Sequence, residues 1–554
     1  MPRTHTPSVS GTLHLPGGWR VLGLAAALLV ALPILMLLTQ WATLGTGEQD
    51  IWQHLFATKL DRLALNTIVL LLGVGVLVTV LGTSLAWLVS MCEFPGRRWF
   101  DWALMLPLAI PGYVMAFVFY GLFSFAGPIQ SWGRSVFGAN FWFPDLQGAV
   151  GVILVMGLVL YPYVYLMARS AFTVQGRNLL DAARLLGLST TGAFWKVALP
   201  VARPAVIGGV ALALMETLAD FGAVSVFNYD TFTTAIYNAW YGLFNLAVAA
   251  QLASLLLVFV ALTLMLEHYS RKHARFTQDE RSRAAQRFRL QGAQAWAATS
   301  WCLVIFLLAF GVPVTQLLIW VAETWRTELD SRYPEFLLHT LELAALAALA
   351  TVLVALLLAF IRRLPKSRWK WLERLSVRLA TLGYALPGSV LAVGIIIAFT
   401  TLDQRLQGLL GSGPFLVGSV FALILAYLTR FMAVAYAPLD ASLERIKPSL
   451  CDAARSLGTG PGRLVRQIYL PLLRPGFFTA LIIVFVDVMK EMPATLIMRP
   501  FGWDTLAVRI YQMTAEGQWE RAALPALTLL LAGLIPVLIL VRQSGARREN
   551  RTAG

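Results

Sequence analysis

The sequence predicts an all-α protein that crosses a membrane about twelve times, as two homologous halves of six helices each. Three observations lead there. The chain has 554 residues, of which 58% are hydrophobic and only 13% charged, with a mean hydropathy of +0.69. A soluble domain carries about 25% charged residues, so this chain lacks the polar surface to face water all round. Second, about twelve stretches approach the roughly 20 apolar residues that a helix needs to cross a bilayer. Third, one spaced set of residues occurs twice, at the constant offset that takes Asp181 to Asp452. No run shows the alternation of a barrel strand, and only helices or closed barrels satisfy the backbone in lipid.

The elements follow in order. The first apolar stretch runs from about Trp19 to Trp41. It is too long for a signal-peptide core, and no clear small-residue cleavage site follows, so it is expected to be the first membrane helix. The third and ninth stretches are expected to begin near Phe100 and Leu375. Between the sixth and seventh, residues 270–293 are the most polar interior segment, with Arg271, Lys272, Arg275, Arg281, Arg283, Arg287 and Arg289. They are expected to form a cytoplasmic linker between a first half, 1–269, and a second half, 294–554.

Charge supports the topology. The formal net charge is +15. In a soluble protein this would suggest nucleic acid. Here most of the Lys and Arg fall in alternate loops, those sharing a side with both termini, which is the positive-inside pattern and places the termini in the cytoplasm. Nucleic acid is therefore not an expected partner; the lipid bilayer is. Cys92, Cys302 and Cys451 are far apart and the six histidines are scattered, so neither a zinc motif nor a catalytic constellation is visible. A membrane-embedded enzyme lacks its clustered ligands or nucleophile here.

The repeated segment is the strongest signal. Asp181-Ala182-Ala183, Gly187 and Leu199-Pro200 recur as Asp452-Ala453-Ala454, Gly458 and Leu470-Pro471. Both copies sit in loops after the fourth helix of a half, about 173–203 and 437–474. The small residues are expected to begin a short helix that packs closely, and each Gly to permit a sharp turn without a Cβ. A second short helix should follow, ended by Pro200 in the first copy. Pro111-Gly112 and Pro387-Gly388 extend the repeat upstream. Halves of six helices share one orientation, so an axis along the membrane normal should relate them, with the pathway between.

This pattern resembles the EAA loop of permeases in type I ABC importers, E-A-A-x-x-x-G-x9-I-x-L-P. Both copies have Asp for Glu; the first has Val197 where the second has the usual Ile468. The resemblance implies the type I importer permease fold, with these loops as coupling helices docked into two copies of a cytoplasmic ABC ATPase. ATP and Mg would belong to that partner, and this chain would bind no cofactor of its own. A P-loop needs G-x-x-x-x-G-K-[ST] to cradle phosphates, and no Gly-Lys pair occurs. A gradient-driven secondary transporter would also show buried charge and two halves, but has no need of the twin loops.

The helix after each loop carries ionisable residues: Glu216 and Asp220, then Asp487, Lys490 and Glu491. Glu216 lies about 18 Å along a helix from Pro204, near mid-bilayer, and Asp220 is expected one turn higher on the same face. A charge facing lipid there costs at least about 2.5–3.5 kcal/mol, so these groups should face the protein interior or water. Two readings stay open: carboxylates lining a cation path, or hydrogen-bonding groups of the gate. A metal site cannot be assigned to them from sequence.

Lys490-Glu491-Met492-Pro493-Ala494-Thr495, Arg499-Pro500-Phe501-Gly502, Asp504-Thr505-Leu506-Ala507 and Ala219-Asp220-Phe221-Gly222 are similar to segments of ferric-iron importer permeases. Thr231-Phe232-Thr233-Thr234 and Tyr237 add to it. The resemblance covers nearly the whole chain and implies an inner-membrane permease fed by a periplasmic binding protein. Thiamine, phosphonate and polyamine permeases share much of this pattern.

Overall fold

The computed structural model describes residues 18–41, 46–138, 140–141, 143–144, 146–185, 187–272, 287–362, 370–410, 415–446 and 448–552. Residues 273–286, most of the linker, lie outside the described residues, as do the side chains of Asp181, Ala182 and Ala183.

The described chain is helical almost throughout. Eleven helices among the described residues are long and apolar enough to cross a bilayer, from Val21–Thr39 to Gly462–Lys490, and Ala523–Ile539 is a shorter apolar stretch. The crossings expected from Phe100 and Leu375 begin later, at Gly112 and Gly388. Prolines cause the shift. Pro107 sits in a single tight turn, Leu106–Ala109, and Ile110 is extended at ψ 121°, because the ring of Pro111 disfavours helix at the residue before it. The residues before this turn form a separate short helix, Arg97–Ala103. In the second copy Lys370–Leu382 takes that place.

Pro200 does not end its helix. The chain is helical without interruption from Thr190 to Ala219, with one widened π turn at Phe194–Ala198. The Leu199 N–H donates to the Phe194 carbonyl, five residues back. The same widening closes on Leu470 before Pro471 and on Val312 before Pro313. A proline ring clashes with the carbonyl four residues earlier and cannot donate to it. One inserted residue moves that carbonyl aside and lets the helix continue.

Helices form two compact units, neither continuous in sequence. The smaller contains residues 1–40 and 337–504; the larger contains 41–336 and 505–554. In the larger, Leu60–Met91 and Leu199–Ala219 both pack on the long helix Ala149–Leu185. Glycines permit this. A Cβ on Gly82 would lie 2.9 Å from the Tyr161 carbonyl, and one on Gly209 would lie 2.7 Å from the Val164 Cα. Close backbone approach of this kind replaces the hydrophobic drive that lipid cannot supply. Polar rungs tie the same long helix to Arg97–Ala103 and its cap: Tyr161 Oη donates to the Leu104 carbonyl at 2.9 Å, and the Arg169 Nε donates to Asp101 at 2.8 Å.

In the smaller unit Gly476 brings Leu470–Lys490 against Val420–Glu444; its Cβ would lie 2.7 Å from the Pro438 carbonyl. The first helix, Gly18–Thr39, packs on Gly388–Leu410, with Gly394 against the backbone of Pro33. The far end of the linker is tied to the larger unit. Phe288–Arg289 pairs in parallel with Cys92–Glu93, and Arg287 reaches the Glu93 carboxylate at 3.3 Å.

Candidate functional site

Two kinds of site residue stood out in sequence, and each occurs twice. The first kind lies at the turns. Asp181, Ala182 and Ala183 do not begin a short helix. They lie in the last turns of Ala149–Leu185, beyond the apolar stretch that ends at Thr173. In the second copy Asp452, Ala453 and Ala454 do occupy a separate helix, Pro448–Ser456. No proline interrupts residues 163–185, whereas Pro448 opens the second copy's helix at its first position, where proline is preorganised for a start.

Both copies then turn through glycine. Gly187 has φ +76° and Gly458 φ +80°, left-handed values that carry no penalty without a Cβ. Around Gly458 the Thr459 N–H returns to the Ala454 carbonyl at 3.0 Å, which caps the helix and leaves no side chain at the turn. The next helix restarts at Thr190 or Pro461 and runs through the widened turn that contains Val197 or Ile468, into Leu199-Pro200 or Leu470-Pro471. The Cys451 thiol donates to Tyr469 at 3.3 Å, tying the second turn's two arms together. Around both glycines the space is open: a Cβ would meet nothing within 4 Å. Leu457, next to Gly458, stands exposed at 87%, and Trp195, on the helix that follows Gly187, at 62%.

The second kind lies where a membrane helix breaks. Asp220 follows Glu216 by one turn at the very end of its helix, its φ of −74° still helical. The helix Leu199–Ala219 stops there, with Asp220 extended at ψ 131°. Its Oδ1 accepts from the backbone N–H of Ala223 at 2.8 Å and of Val224 at 3.3 Å, in the first turn of Gly222–Val226. Thr233 donates to the Asp220 carbonyl at 2.8 Å. A carboxylate held by first-turn N–H groups satisfies donors that have no helical partner, which is why the break survives in an apolar setting.

The second copy repeats this arrangement with a longer carboxylate. Leu470–Lys490 ends at Glu491, ψ 118°. The Ala494 N–H donates to Oε1 at 3.0 Å, and the Thr495 N–H and hydroxyl donate to Oε2 at 3.0 and 2.9 Å. Tyr427 joins through Thr495 at 2.7 Å, and the Arg430 guanidinium lies 3.8 Å from Oε1. Glu491 is buried. Glu216, Asp487 and Lys490 are half-buried on the last turn of their helices. Among the described residues no three His, Cys, Asp or Glu side chains gather as a metal site.

Each break faces the glycine of a Pro-Gly pair. A Cβ on Gly112 would lie 3.1 Å from Asp220 Oδ2. One on Gly388 would collide with Glu491 and lie 2.8 Å from Arg430 Nη1. The recurrence of Pro-Gly was visible in sequence; that it makes room for the carboxylate was not. Arg430, Tyr427 and Thr495 carried no repeat signal, since the residues at the same offset in the first copy are Val159, Met156 and Val224.

A family profile described as the inner membrane component of binding-protein-dependent transport systems matches the chain twice, over residues 78–272 and 352–548. Each match holds one glycine turn and one broken helix. The chain belongs to this family. It is a multi-pass membrane protein carrying two permease copies in one polypeptide, and acts as the permease of an ABC importer. It is similar to the Fe(3+)-transport system permease protein FbpB 2 of Haemophilus influenzae, with 29% identity over 92% of this chain and 95% of that protein. The sulfate transport system permease protein CysT of Escherichia coli is 28% identical over 39% of this chain and 77% of its own length. A crystal structure of a bacterial alginate ABC transporter, in complex with a periplasmic protein bound to an alginate pentasaccharide, aligns at TM-score 0.37 and 15% identity. That alignment covers 44% of this chain and 91% of that one.

Proposed function

We propose that this permease carries ferric iron across the bacterial inner membrane, received from a periplasmic binding protein and driven by a separate ATPase. The observation that carries the cargo is the similarity to an Fe(3+)-transport permease along 92% of this chain and 95% of that one. The CysT relative covers a single copy's length. The acidic residues agree with a hard cation, for which carboxylate oxygen is a suitable ligand. Glu216 and Asp487, half-buried on the last turns before the breaks, are the carboxylates assigned to the path. Asp220 and Glu491 are assigned to holding the breaks in shape, with Lys490 beside the second.

The two glycine turns are assigned to ATPase docking, one subunit to each. Exposed Leu457 beside the second turn is an apolar side chain that a docked surface would cover, and the absence of any Gly-Lys pair leaves no phosphate cradle in this chain. The Lys and Arg distribution supports a cytoplasmic position for both termini and the 270–293 linker.

The test is uptake by the purified permease reconstituted with its ATPase and binding protein. Radiolabelled iron delivered by the ferric-loaded binding protein should enter vesicles only with Mg-ATP. Sulfate, phosphonate, thiamine or polyamine uptake in place of iron would overturn the cargo. Iron uptake driven by an ion gradient without ATP would overturn the class. For topology, cysteines placed in the linker of a cysteine-free chain should resist an impermeant thiol reagent added from the periplasmic side; rapid labelling there would reverse the orientation.

A further inference from the structure

Four aromatic rings lie beside the first broken helix, all within the larger unit. Phe221 follows Asp220 at the break and is 3% exposed. Its ring lies 4.8 Å from Tyr237 and 5.5 Å from Tyr511, centroid to centroid. Tyr237 in turn lies 6.2 Å from Tyr511 and 4.8 Å from Tyr241. Exposure grades outward, from buried Phe221 through half-buried Tyr237 and Tyr511 to exposed Tyr241.

The rings come from both permease copies. Phe221, Tyr237 and Tyr241 belong to the match over 78–272, and Tyr511 to the match over 352–548. Tyr237 and Tyr511 stand on short helices with matched starts. Phe232–Tyr241 is capped by Thr231 with Thr234, and Leu506–Ala515 by Thr505, whose hydroxyl accepts from the Val508 N–H. In a transporter of two copies related along the membrane normal, the path runs between the copies, and broken helices line it. Rings that touch from one copy to the other at a helix break therefore occupy the path itself.

We infer that Phe221, Tyr237 and Tyr511 form the closed constriction of the translocation path, and that transport requires the Tyr511 ring to leave the other two. The inference rests on the importer reading above but not on iron as the cargo. Offset ring contacts at these spacings are close enough to exclude a hydrated ion and are broken by a small lateral movement. Neither copy closes the path alone, so displacement of the short helix Leu506–Ala515 from the first break opens it.

The test is cross-linking in the assembled complex. Phe221→Cys and Tyr511→Cys are introduced together in a chain whose Cys92, Cys302 and Cys451 are replaced by Ala. The full complex is treated with a short bifunctional methanethiosulfonate, once free of nucleotide and once trapped with Mg-ATP and vanadate. Moving the constriction from mostly closed to mostly open changes the cross-linking rate about tenfold or more, and that difference is the expected result. Equal rates in both states, or no product in either, would overturn the gate. A Tyr237→Cys and Tyr511→Cys pair gives the same reading where the first variant fails to assemble. The readout uses no cargo, so its failure is distinct from failure of the iron assignment.

Discussion

At the scale of single residues, the two break carboxylates do similar work in different surroundings. Asp220 holds two backbone N–H groups beside Gly112; Glu491 holds two plus a hydroxyl, beside Gly388 and Arg430. The second site is the more crowded. Gly388→Ala should therefore disturb the permease more than Gly112→Ala. In the first the new methyl meets Glu491 and Arg430; in the second it meets Asp220 Oδ2 at 3.1 Å and Met156 Sδ at 3.6 Å. Melting of the two purified variants in detergent checks this, and an equal or reversed order would count against the described geometry. Glu491→Ala leaves Arg430 without its carboxylate and two N–H groups without an acceptor. Breaking a buried pair in this way costs about 3–5 kcal/mol, so a marked fall in melting temperature is expected. Glu491→Gln keeps an acceptor oxygen and should fall less.

At the scale of elements, the turns at Gly187 and Gly458 depend on left-handed backbone in open space. Gly→Ala at either position costs about 1–2 kcal/mol of backbone strain without a steric clash inside the chain. Gly→Asp adds a charge and bulk to a surface assigned to the ATPase. Gly187→Asp and Gly458→Asp together should leave a correctly inserted permease that co-purifies with little ATPase, or holds it without uptake. The Ala pair should retain docking. Normal docking and normal uptake in the Asp pair would remove the coupling assignment. The two positions should differ in severity, because Gly187 follows one unbroken helix while Gly458 follows a short helix of its own, tied by Cys451 to Tyr469. The helix after each turn is continuous through its proline, so a displaced turn can act on the break at Asp220 or Glu491 along one rigid element.

At the scale of the whole molecule, the compact units cut across sequence order. The first helix, Gly18–Thr39, belongs with residues 337–504, and residues 292–336 belong with 41–272. A chain cut between residues 273 and 286 would yield two fragments, each carrying helices of both units. Co-expressed, the fragments should co-purify from membranes as one complex; expressed singly, each leaves a unit without helices it packs on and should be degraded or aggregate. A stable, monodisperse single fragment would contradict the described packing.

Amino-acid order alone records what short-range chemistry controls. Hydropathy and length dictate crossings, since lipid accepts only helices of sufficient apolar length. Glycine at 187 and 458 was legible as a turn, because only glycine takes positive φ without cost. The recurrence of those residues at one offset disclosed a repeat before any coordinate. Tertiary structure decided the rest. Whether Pro200 and Pro471 end a helix or pass through a widened turn depends on packing that keeps the helix going, which no local signal records. Asp220 lies one turn above Glu216 as read, but that the helix breaks there and that its carboxylate caps Gly222–Val226 was not legible, because no local signal marks the extended backbone at that residue. The meeting of Tyr511 with Phe221 and Tyr237 joins residues hundreds of positions apart; sequence spacing carries no information about such contacts, and only the folded chain brings them together.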